Sequence, residues 1–451
     1  MKTIHYNVFV IGSGVAGQTV AKACAKQKLT VAIADNREFG GVCANRGCDP
    51  KKILLQFSAL MEHAKRLEKS GLSKLPKVNW KAVQQFKTQF IEAIPKKTEE
   101  NLQKLAIDLY HQSPEFINKN EILVEGKTIS ADYFVIATGK TPRTLEIKGN
   151  KYIETSDAIL NLDKIPKSAS FIGSGYIGME FATMLAILGC KVTIFDHGDT
   201  ALSNFDQFLV KKIITKMESL GVEFIFNAEV ISVKKLKKNI KFKYSVNGKN
   251  KRHKSQKVFN TAGRIPSVKQ LKLNNANIDC DETGVLVNAF MQSKTNKKVY
   301  ACGDVSSLSL PLTPLSGLQG YIVGKNIING NKKAFQFPLV PSTVFTQPNI
   351  SVVGMQEEEA KARYKTVKIY KGEGTHWFNA KKLNQETYAY KIITNDRTEI
   401  IVGAHILGEQ ANENINIFTI AINSKMTVSD FKKLIFTYPS YSNDLKKMLA
   451  D

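Results

Sequence analysis

Residues 12–17 read GSGVAG, and this stretch decides the fold of the amino-terminal part of the chain. An apolar run at 7–11 before it predicts a strand, a helical pattern follows at 18–27, and a second strand is predicted at 29–34, directly before Asp35. The spacing G-x-G-x-x-G between a strand and a helix is typical of a dinucleotide-binding Rossmann unit. We therefore expect a parallel sheet with flanking helices here.

The small residues of this turn have a chemical purpose. Gly12, Gly14 and Gly17 allow the backbone to approach a pyrophosphate at the helix N-terminus. Asp35, at the end of the second strand, is placed to bind a ribose hydroxyl. The three glycines and the acidic residue are therefore candidate cofactor ligands.

The same pattern recurs at residues 173–178, which read GSGYIG. A predicted strand at 170–172 leads into it, and a helix through Leu188 and a strand at 191–195 follow, with Asp196 at the same distance from the first glycine as Asp35 in the first unit. Two units in one register predict that the chain binds two dinucleotides. The glycines of the second unit are Gly173, Gly175 and Gly178.

A pair of cysteines follows the first unit. Residues 40–52 read GGVCANRGCDPKK, with Cys43 and Cys48 five positions apart and a predicted helix at 53–64 directly after them. Two thiols at this spacing are able to form a redox disulfide, whereas the polar and glycine-rich surroundings argue against an ordinary apolar core.

Thiolate formation is favoured at this place. A nearby helix N-terminus and the cations of Lys51 and Lys52 stabilise the negative charge of a cysteine sulphur. The sequence therefore predicts reactive cysteines. The other cysteines are scattered and are predicted to be small buried residues, namely Cys24, Cys190, Cys280 and Cys302.

The composition is that of an ordinary globular protein. The 451 residues are 43% hydrophobic and 23% charged, which predicts two or three domains and no membrane span. No secretory signal pattern begins the sequence, and the few cysteines suit a reducing compartment, so we expect a cytoplasmic location.

The net charge of +24 is the unusual bulk property. Lysines occur throughout the chain, with a local concentration at 234–257 that reads as a hairpin, and no recognisable nucleic-acid-binding module is present. Solvated lysine faces are the expected explanation, so neither nucleic acid nor a membrane is predicted as a partner. The sequence leaves the purpose of the charge open.

Three more strand ends carry glycine turns. Residues 134–139 read FVIATG, residues 261–264 read TAGR, and residues 299–306 read VYACGDVS. Asp304, at the end of the last of these strands, is placed to accept hydrogen bonds from cofactor hydroxyls, although a simple Gly-Asp turn is the alternative. After Pro338, predicted strands followed by a helix indicate a separate α+β domain.

Five features follow one another along the chain: the first glycine motif, the G-G-x-C-x-N-x-G-C-x-P-x-K box, the A-T-G turn, the second glycine motif and the G-D strand end. In this order they resemble the pyridine-nucleotide disulfide oxidoreductases, the group of glutathione reductase, dihydrolipoyl dehydrogenase and mercuric reductase. The resemblance covers essentially the whole chain. It implies an α/β fold with two Rossmann-like domains, one inserted in the other, and a C-terminal α+β dimerisation domain in a homodimer. The implied boundaries are residues 1–145 and 265–335 for the FAD domain, 146–264 for the NAD(P) domain and 336–451 for the interface domain.

Roles for the redox residues follow from the same resemblance. It implies that hydride passes from nicotinamide to FAD, that Cys48 is the flavin-proximal charge-transfer thiol and that Cys43 attacks the substrate. Either Lys51 or Lys52 corresponds to a lysine near the flavin, with Glu180 as its ion-pair partner. The remaining implied contacts are Gly139 and Asp304 for FAD, and Gly263 and Tyr176, an aromatic gate, for the nicotinamide nucleotide.

Nucleotide preference is predicted from the second acidic residue. Asp196 suits a free ribose hydroxyl and repels a 2′-phosphate, and His197 and Ser203 stand where arginines of NADP-specific members are found. Gly178 as the third glycine agrees with NAD. We therefore expect NADH, with NADPH as the less suitable donor.

The C-terminal tail departs from the family pattern. Disulfide-reducing members resemble H-P-T-x-S-E, whereas this chain reads YPSYSN at 438–443. A tyrosine with an ordinary pKa near 10 does not replace a histidine poised near neutrality. Tyr438 is the candidate catalytic residue at this position, and ordinary turnover of glutathione or dihydrolipoamide is not expected.

Three functions remain open from the sequence. The first is an FAD enzyme that moves electrons from NADH through Cys48 and Cys43 to a small disulfide, a quinone or a metal ion. The second is a flavin-dependent NADH dehydrogenase or transhydrogenase, or a quinone or metal reductase, that does not require the dithiol. The third is a non-catalytic nucleotide-sensing protein, which the intact motifs argue against.

Overall fold

A computed structural model of the chain describes residues 3–450. The strands, in chain order, are β1 Ile4–Ile11, β2 Val31–Ala34, β3 Asp108–Tyr110, β4 Glu115–Asn118, β5 Glu121–Val124, β6 Lys127–Ile136, β7 Lys140–Pro142, β8 Ser168–Ile172, β9 Lys191–Phe195, β10 Val222–Ile225, β11 Ala228–Lys235, β12 Ile240–Val246, β13 Lys249–Ser255, β14 Lys257–Asn260, β15 Arg264–Pro266, β16 Val299–Ala301, β17 Ser342–Val344, β18 Asn349–Gly354, β19 Val367–Glu373, β20 Ala389–Asn395 and β21 Ile401–Gly408.

The α-helices are α1 Val15–Ala25, α2 Gly41–Arg46, α3 Cys48–Leu67, α4 Trp80–Ile91, α5 Ile94–Gln103, α6 Ser156–Leu160, α7 Tyr176–Ile187, α8 Gln207–Ser219, α9 Thr313–Asn329, α10 Glu357–Arg363, α11 Phe378–Lys381, α12 Ala411–Asn423, α13 Val428–Lys433 and α14 Tyr441–Asp444. Two compact units contain these elements. The first consists of the chain up to Ile53, Gln84–Arg143 and Gly263–Phe337, and the second of Leu54–Val83, Thr144–Ala262 and the chain from Pro338 onward.

A largely parallel sheet organises the first unit. Its order is β3-β2-β1-β6, all parallel, with β16 also parallel to β6 and with β5 and β4 continuing antiparallel. The strand β2 reads VAIA and is buried throughout, as expected for a strand covered on both faces. The helix α1 connects β1 to β2, which gives the expected Rossmann unit.

The strand that leads into the glycine turn at 134–139 is longer than this motif indicates. It is the single strand β6, which begins at Lys127. Its first half pairs antiparallel with β5 while its second half pairs with β16, and β1 runs alongside both halves. Pairing with β1 along its length holds the strand continuous.

The second unit begins with another parallel sheet, of order β10-β9-β8-β14. The helix α7 connects β8 to β9, and α8 connects β9 to β10, so the second Rossmann unit is present as expected. A separate antiparallel sheet, β11-β12-β13, contains the predicted lysine-rich hairpin. It is inserted between β10 and β14.

An antiparallel sheet of order β17-β18-β21-β20-β19 forms the carboxy-terminal part of the second unit. The strand β21 is buried along its whole length, and α12 packs on β21 and β18 through Ile415 and Phe418. Strands covered by a helix make the α+β domain that the sequence predicts. Within residues 3–450 there is no helix that combines the length and the apolar character needed to span a bilayer.

Candidate active site

The two cysteines lie on neighbouring short segments of the first unit. Cys43 is in α2, which starts after Gly40 in a left-handed conformation, and Cys48 is the first residue of α3. The helix was expected to begin at residue 53, and this was wrong by a full turn. Pro50 lies in the first turn of α3, where the missing N–H of a proline costs nothing, so the helix extends back to Cys48.

The cysteine segment packs directly on the first glycine turn. A Cβ atom at Gly41 would lie 2.5 Å from the Cα of Gly14, so no larger residue fits at Gly41 without a shift of the backbone. Gly41 also has a φ of +76°, which favours glycine. The close approach fixes the thiols beside the loop that the sequence assigns to the flavin nucleotide.

The two sulphur atoms interact as thiols. No disulfide joins Cys43 and Cys48, and their side chains hydrogen-bond each other. Donation from Cys43, followed in importance by the cations of Lys51 and Lys52, lowers the pKa of Cys48 to about 6, although burial opposes this. The hydrogen bond to Cys48 and burial raise the pKa of Cys43. At neutral pH the negative charge therefore sits on Cys48 and the proton on Cys43.

Thr313 completes the thiol arrangement. Its Oγ1 donates a hydrogen bond of 3.0 Å to the Sγ of Cys43, and the same hydroxyl helps to lower the pKa of Cys48. Thr313 is the first residue of the long helix α9. The sequence carries no signal that this residue contacts a cysteine.

The predicted lysine and glutamate lie in different units. Lys51 is only 7% exposed and acts on the charge of Cys48. Glu180 lies on α7, is 1% exposed, and its Oε1 accepts a hydrogen bond of 2.9 Å from the backbone N–H of Phe345. The ion pair between a lysine and Glu180 stays a prediction.

The first glycine turn has room for a cofactor at one position. Cβ atoms at Gly12 and Gly17 would lie 2.4 Å and 1.9 Å from carbonyl oxygens, so packing requires these glycines. Gly14 has an ordinary φ of −68°, and a Cβ atom there would meet nothing closer than 4.0 Å. Packing does not explain Gly14, whereas a pyrophosphate against the N-terminus of α1 does. The residues present therefore fit a bound dinucleotide.

Asp35 holds this turn in place. Its Oδ2 accepts hydrogen bonds from the N–H and the hydroxyl of Ser13, at 2.8 Å and 2.7 Å, and its Oδ1 accepts from the N–H of Arg37. Asp196 has the same contacts in the second unit, where Oδ2 accepts from the N–H and hydroxyl of Ser174. The acidic residues thus order the loops, and a carboxylate retains further acceptor capacity for ribose.

Other predicted FAD contacts gather at the strand ends of the first unit. Burial raises the pKa of Asp304, which accepts a hydrogen bond of 3.3 Å from the hydroxyl of Ser316 on α9. The Oγ1 of Thr138 is buried and has no hydrogen-bond partner within residues 3–450. A buried polar atom without a partner is rare, so a hydroxyl-bearing ligand such as the ribityl chain of FAD fits here. Gly139 and Gly263 have φ of +64° and +104°, which alone accounts for glycine at both positions.

The second glycine turn has the same geometry as the first. A Cβ atom at Gly178 would lie 2.4 Å from the carbonyl oxygen of Gly173, whereas nothing lies within 4 Å of one at Gly175, whose φ is −70°. Within the described chain no side chain caps the N-terminus of α7, so its N–H groups are available to an anion. Tyr176, the predicted gate, is the first residue of α7 and is partly exposed.

The tail places Tyr438 at the surface. Its side chain is 68% exposed and its ring lies 6.3 Å from that of Phe378. Asn379 holds the residues that follow Tyr438 in place. Its Nδ2 donates hydrogen bonds to the carbonyl of Ser440 and to the carboxylate of Asp444. The sequence did not single out Asn379, because its partners lie in a distant segment of the chain.

Models of one protein family match most of this chain. The family model Pyridine nucleotide-disulphide oxidoreductase matches residues 6–320, and the dimerisation domain of that family matches residues 340–449. The second match supports a homodimer.

Individual relatives cover almost the whole chain. Glutathione reductase of Nostoc sp. is 30% identical over 99% of this chain and 100% of its own length. Mercuric reductase of Staphylococcus aureus is 28% identical, over 98% of this chain and 81% of its own.

A solved structure is similar throughout. The Cu(II) complex of the HOCl-induced flavoprotein disulfide reductase RclA from Escherichia coli matches with a TM-score of 0.88 and 27% identity, over 100% of this chain and 99% of the other. The expected fold class and the expected enzyme class are thereby confirmed. The chain belongs to the pyridine nucleotide-disulphide oxidoreductases, a family of FAD-dependent enzymes that use pyridine nucleotides.

Proposed function

We propose that this enzyme uses NADH and FAD to reduce a disulfide between Cys43 and Cys48, which then reduces a small acceptor. The observation that carries the proposal is the unequal thiol pair, in which the two side chains hydrogen-bond each other and their surroundings lower the pKa of Cys48 and raise that of Cys43. A pair of this kind has one sulphur suited to electronic contact with a flavin and one suited to exchange with a substrate. A structural disulfide has no need for such a difference.

Cofactor placement extends the proposal. FAD binds residues 1–145 and 265–335, the nicotinamide nucleotide binds 146–264, and residues 336–451 form the homodimer interface. Gly14, Thr138 and Asp304 support the first assignment, and Gly175 supports the second, because packing leaves their chemistry unexplained. When bound, FAD supplies the capacity to accept a hydride from nicotinamide and to reduce a disulfide by two electrons.

The protein's own residues direct the sulphur chemistry. With a disulfide acceptor, the sulphur of Cys43 attacks one acceptor sulphur and breaks the acceptor S–S bond, and the other acceptor sulphur leaves with the proton of Cys43 as a thiol. Cys48 then attacks Cys43 in this mixed disulfide, restores the Cys43–Cys48 bond and releases the second acceptor thiol. Lys51 and Lys52 keep Cys48 ionised for that second attack.

NADH is the preferred donor in this proposal. Asp196 is a fixed carboxylate at the end of β9, held by Ser174 and by the N–H of Gly198. A fixed negative charge there repels a 2′-phosphate and accepts from a 2′-hydroxyl. A cytoplasmic location is retained as a prediction from cysteine usage.

The acceptor is a small molecule of unassigned class. Tyr438 takes the place of the acid/base histidine that glutathione-reducing members have, which disfavours glutathione disulfide as the substrate. The mercuric reductases among the relatives and the Cu(II) named for RclA make metal ions a reasonable second class to test. Quinones are the third class of acceptor to test.

An anaerobic acceptor screen tests this proposal. The FAD-loaded enzyme, with NADH, is offered glutathione disulfide, other low-molecular-weight disulfides, Cu(II), Hg(II) and a soluble quinone. The Cys43→Ser and Cys48→Ser variants are compared with Cys280→Ser, which alters a half-buried cysteine outside the pair. Turnover that needs Cys43 and Cys48 but tolerates Cys280→Ser supports the proposal. Turnover retained by all three variants favours the dithiol-independent alternative.

A further inference from the structure

The lysine-rich hairpin becomes a continuous cationic surface in the folded chain. In the β11-β12-β13 sheet, Lys234 lies opposite Lys241, and Lys241 lies opposite Lys254. One row further along, Lys243 lies opposite Arg252. Because side chains two residues apart on a strand share a face, these five cations lie on one face, which we call the basic face.

A distant segment adds to the same row. Ser232 pairs with Lys243 on one side and forms a bridge with Lys148 on the other. Lys148 is exposed and lies far from the hairpin in sequence. Glu229, opposite Ser245, is the acidic side chain one row beyond.

The rows are electrostatically unfavourable for the isolated protein. Like charges directly opposite each other on neighbouring strands destabilise a sheet. Within residues 3–450, Lys234, Lys241, Lys243, Arg252 and Lys254 appear in none of the ion pairs found. An external anionic surface would relieve this repulsion.

Apolar side chains accompany the cations. The hairpin between β11 and β12 reads KKLKK at 234–238, and Leu236 at its tip is 37% exposed. Ile231, at the irregularity in β11, is 42% exposed. Exposed apolar groups among lysines suit the boundary between lipid headgroups and acyl chains.

The same face is poorly suited to nucleic acid. Its aromatic residues Phe242 and Tyr244 are buried on the opposite side, where both rings pack against Phe195. The basic face therefore offers no ring on which a base can stack. A sheet of three strands is also broader than the two-stranded ribbon that the major groove admits.

We propose that the basic face docks the enzyme on a membrane surface rich in anionic phospholipid. This departs from the expectation of dispersed, merely solvated lysines, because that expectation took no account of strand pairing. The occupant is the lipid bilayer, with lysines near phosphate and carboxylate headgroups and Leu236 inserted between them. The proposal is independent of the acceptor and of the thiol chemistry.

Vesicle co-sedimentation of the FAD-loaded enzyme tests the proposal. Vesicles of one part phosphatidylserine to two parts phosphatidylcholine are compared with vesicles of phosphatidylcholine alone. We expect binding only to the anionic vesicles, with loss at high salt. Absence of binding to the anionic vesicles at low salt would overturn the proposal.

Two triple variants that lose the same charge test whether vesicle binding depends on the basic face or only on the net charge of the protein. Replacing Lys241, Lys243 and Lys254 with Gln should weaken partitioning by about a hundredfold, at about fivefold per lysine. Replacing the exposed Lys294, Lys297 and Lys298 with Gln removes the same charge elsewhere on the protein. This variant should change partitioning onto the vesicles by less than about fivefold. Equal losses in both triple variants would contradict the proposal. Retained FAD absorbance together with an unchanged far-UV circular dichroism spectrum and thermal unfolding midpoint shows that each variant is folded.

Leu236→Ser distinguishes a membrane from another polyanion. It should weaken vesicle binding and leave any binding to single-stranded or duplex DNA, measured by fluorescence anisotropy, unchanged. DNA binding as tight as vesicle binding, together with a Leu236→Ser variant that binds vesicles normally, would replace the membrane with a nucleic acid as partner.

Discussion

The hydroxyl of Thr313 lies 3.0 Å from the sulphur of Cys43, so the first residue of α9 is tied to the cysteine segment. This contact joins residues 270 positions apart in sequence. It connects the thiol pair to the helix that also carries Ser316, the partner of Asp304. One helix therefore orders both the redox pair and a predicted cofactor contact.

Removal of the Thr313 hydroxyl should make both thiols less acidic. Thr313→Val deletes a hydrogen bond that lowers the pKa of Cys43 and of Cys48, so alkylation of the reduced enzyme at pH 7 should slow by up to about tenfold. Thr313→Ser keeps the donor and serves as the control. Identical alkylation rates in the wild type and both variants would show that the contact has no effect on the thiols.

The reactivity of Cys48 should follow its lowered pKa. Only the thiolate is alkylated, so the rate at Cys48, measured by mass spectrometry of the reduced enzyme, should rise with pH through a midpoint of about 6. Because donation from Cys43 is the largest cause of the shift, Cys43→Ala should move the midpoint upward. Cys43→Ser, which keeps a hydroxyl donor, should move it less. A midpoint near 9 in the wild type, the ordinary value for a thiol, would contradict the assignment.

Two substitutions in the first glycine turn should have different effects, one on FAD binding and the other on the stability of the fold. Gly14→Ala adds a methyl group that would lie 4.0 Å from the Cα of Gly41, an ordinary contact, so thermal stability of the apoprotein should be little changed while FAD affinity falls by about tenfold or more. Gly17→Ala forces a Cβ atom against the carbonyl of Gly12 and should destabilise the apoprotein by about 1–3 kcal/mol. The two quantities are measured by fluorescence titration and thermal unfolding. Normal FAD affinity in Gly14→Ala would remove the argument for a pyrophosphate at this turn.

A buried cation in the second unit should dominate local stability. The Nζ of Lys391 lies 2.6 Å from a carboxylate oxygen of Asp206 and 2.8 Å from one of Glu357. Lys391→Met leaves both carboxylates without this partner and should lower the free energy of unfolding by about 3–5 kcal/mol at neutral pH. Lys361→Met, which removes an exposed partner of Glu357, should cost less than about 1 kcal/mol.

Low pH should reduce the loss of stability that Lys391→Met causes. Hydrogen bonds from Lys361 and Lys391 lower the pKa of Glu357 from 4.5 to about 2, so its contribution is present above pH 4.5 and is lost as the pH falls toward 2. The deficit of Lys391→Met should therefore shrink in urea unfolding curves below pH 4.5. Equal stability losses for both lysine variants would contradict a dominant role for Lys391.

Local patterns in the sequence were sufficient for most of the fold. The glycine turns are flanked by β1 and α1, and by β8 and α7, as strand and helix periodicity predicts. Predictions failed where pairing partners decide the outcome. The length of β6 depends on β5, β1 and β16, which residues 127–136 alone do not reveal.

The candidate site was predictable only in part. The spacing of Cys43 and Cys48 is visible in the sequence, but which sulphur carries the charge depends on their hydrogen bond and on Thr313, far along the chain. The basic face is a similar case, because Lys148 joins the hairpin lysines only through a strand bridge. Contacts between distant segments have no local sequence signal.

NADH should reduce a disulfide between Cys43 and Cys48 in the FAD-loaded enzyme. To measure this, the oxidised, FAD-loaded enzyme is incubated anaerobically with NADH and alkylated, and the peptide that contains both cysteines is examined by mass spectrometry. We expect two alkylated cysteines after addition of NADH and an unmodified disulfide without it. A disulfide that persists while NADH is consumed would contradict reduction of the pair by NADH.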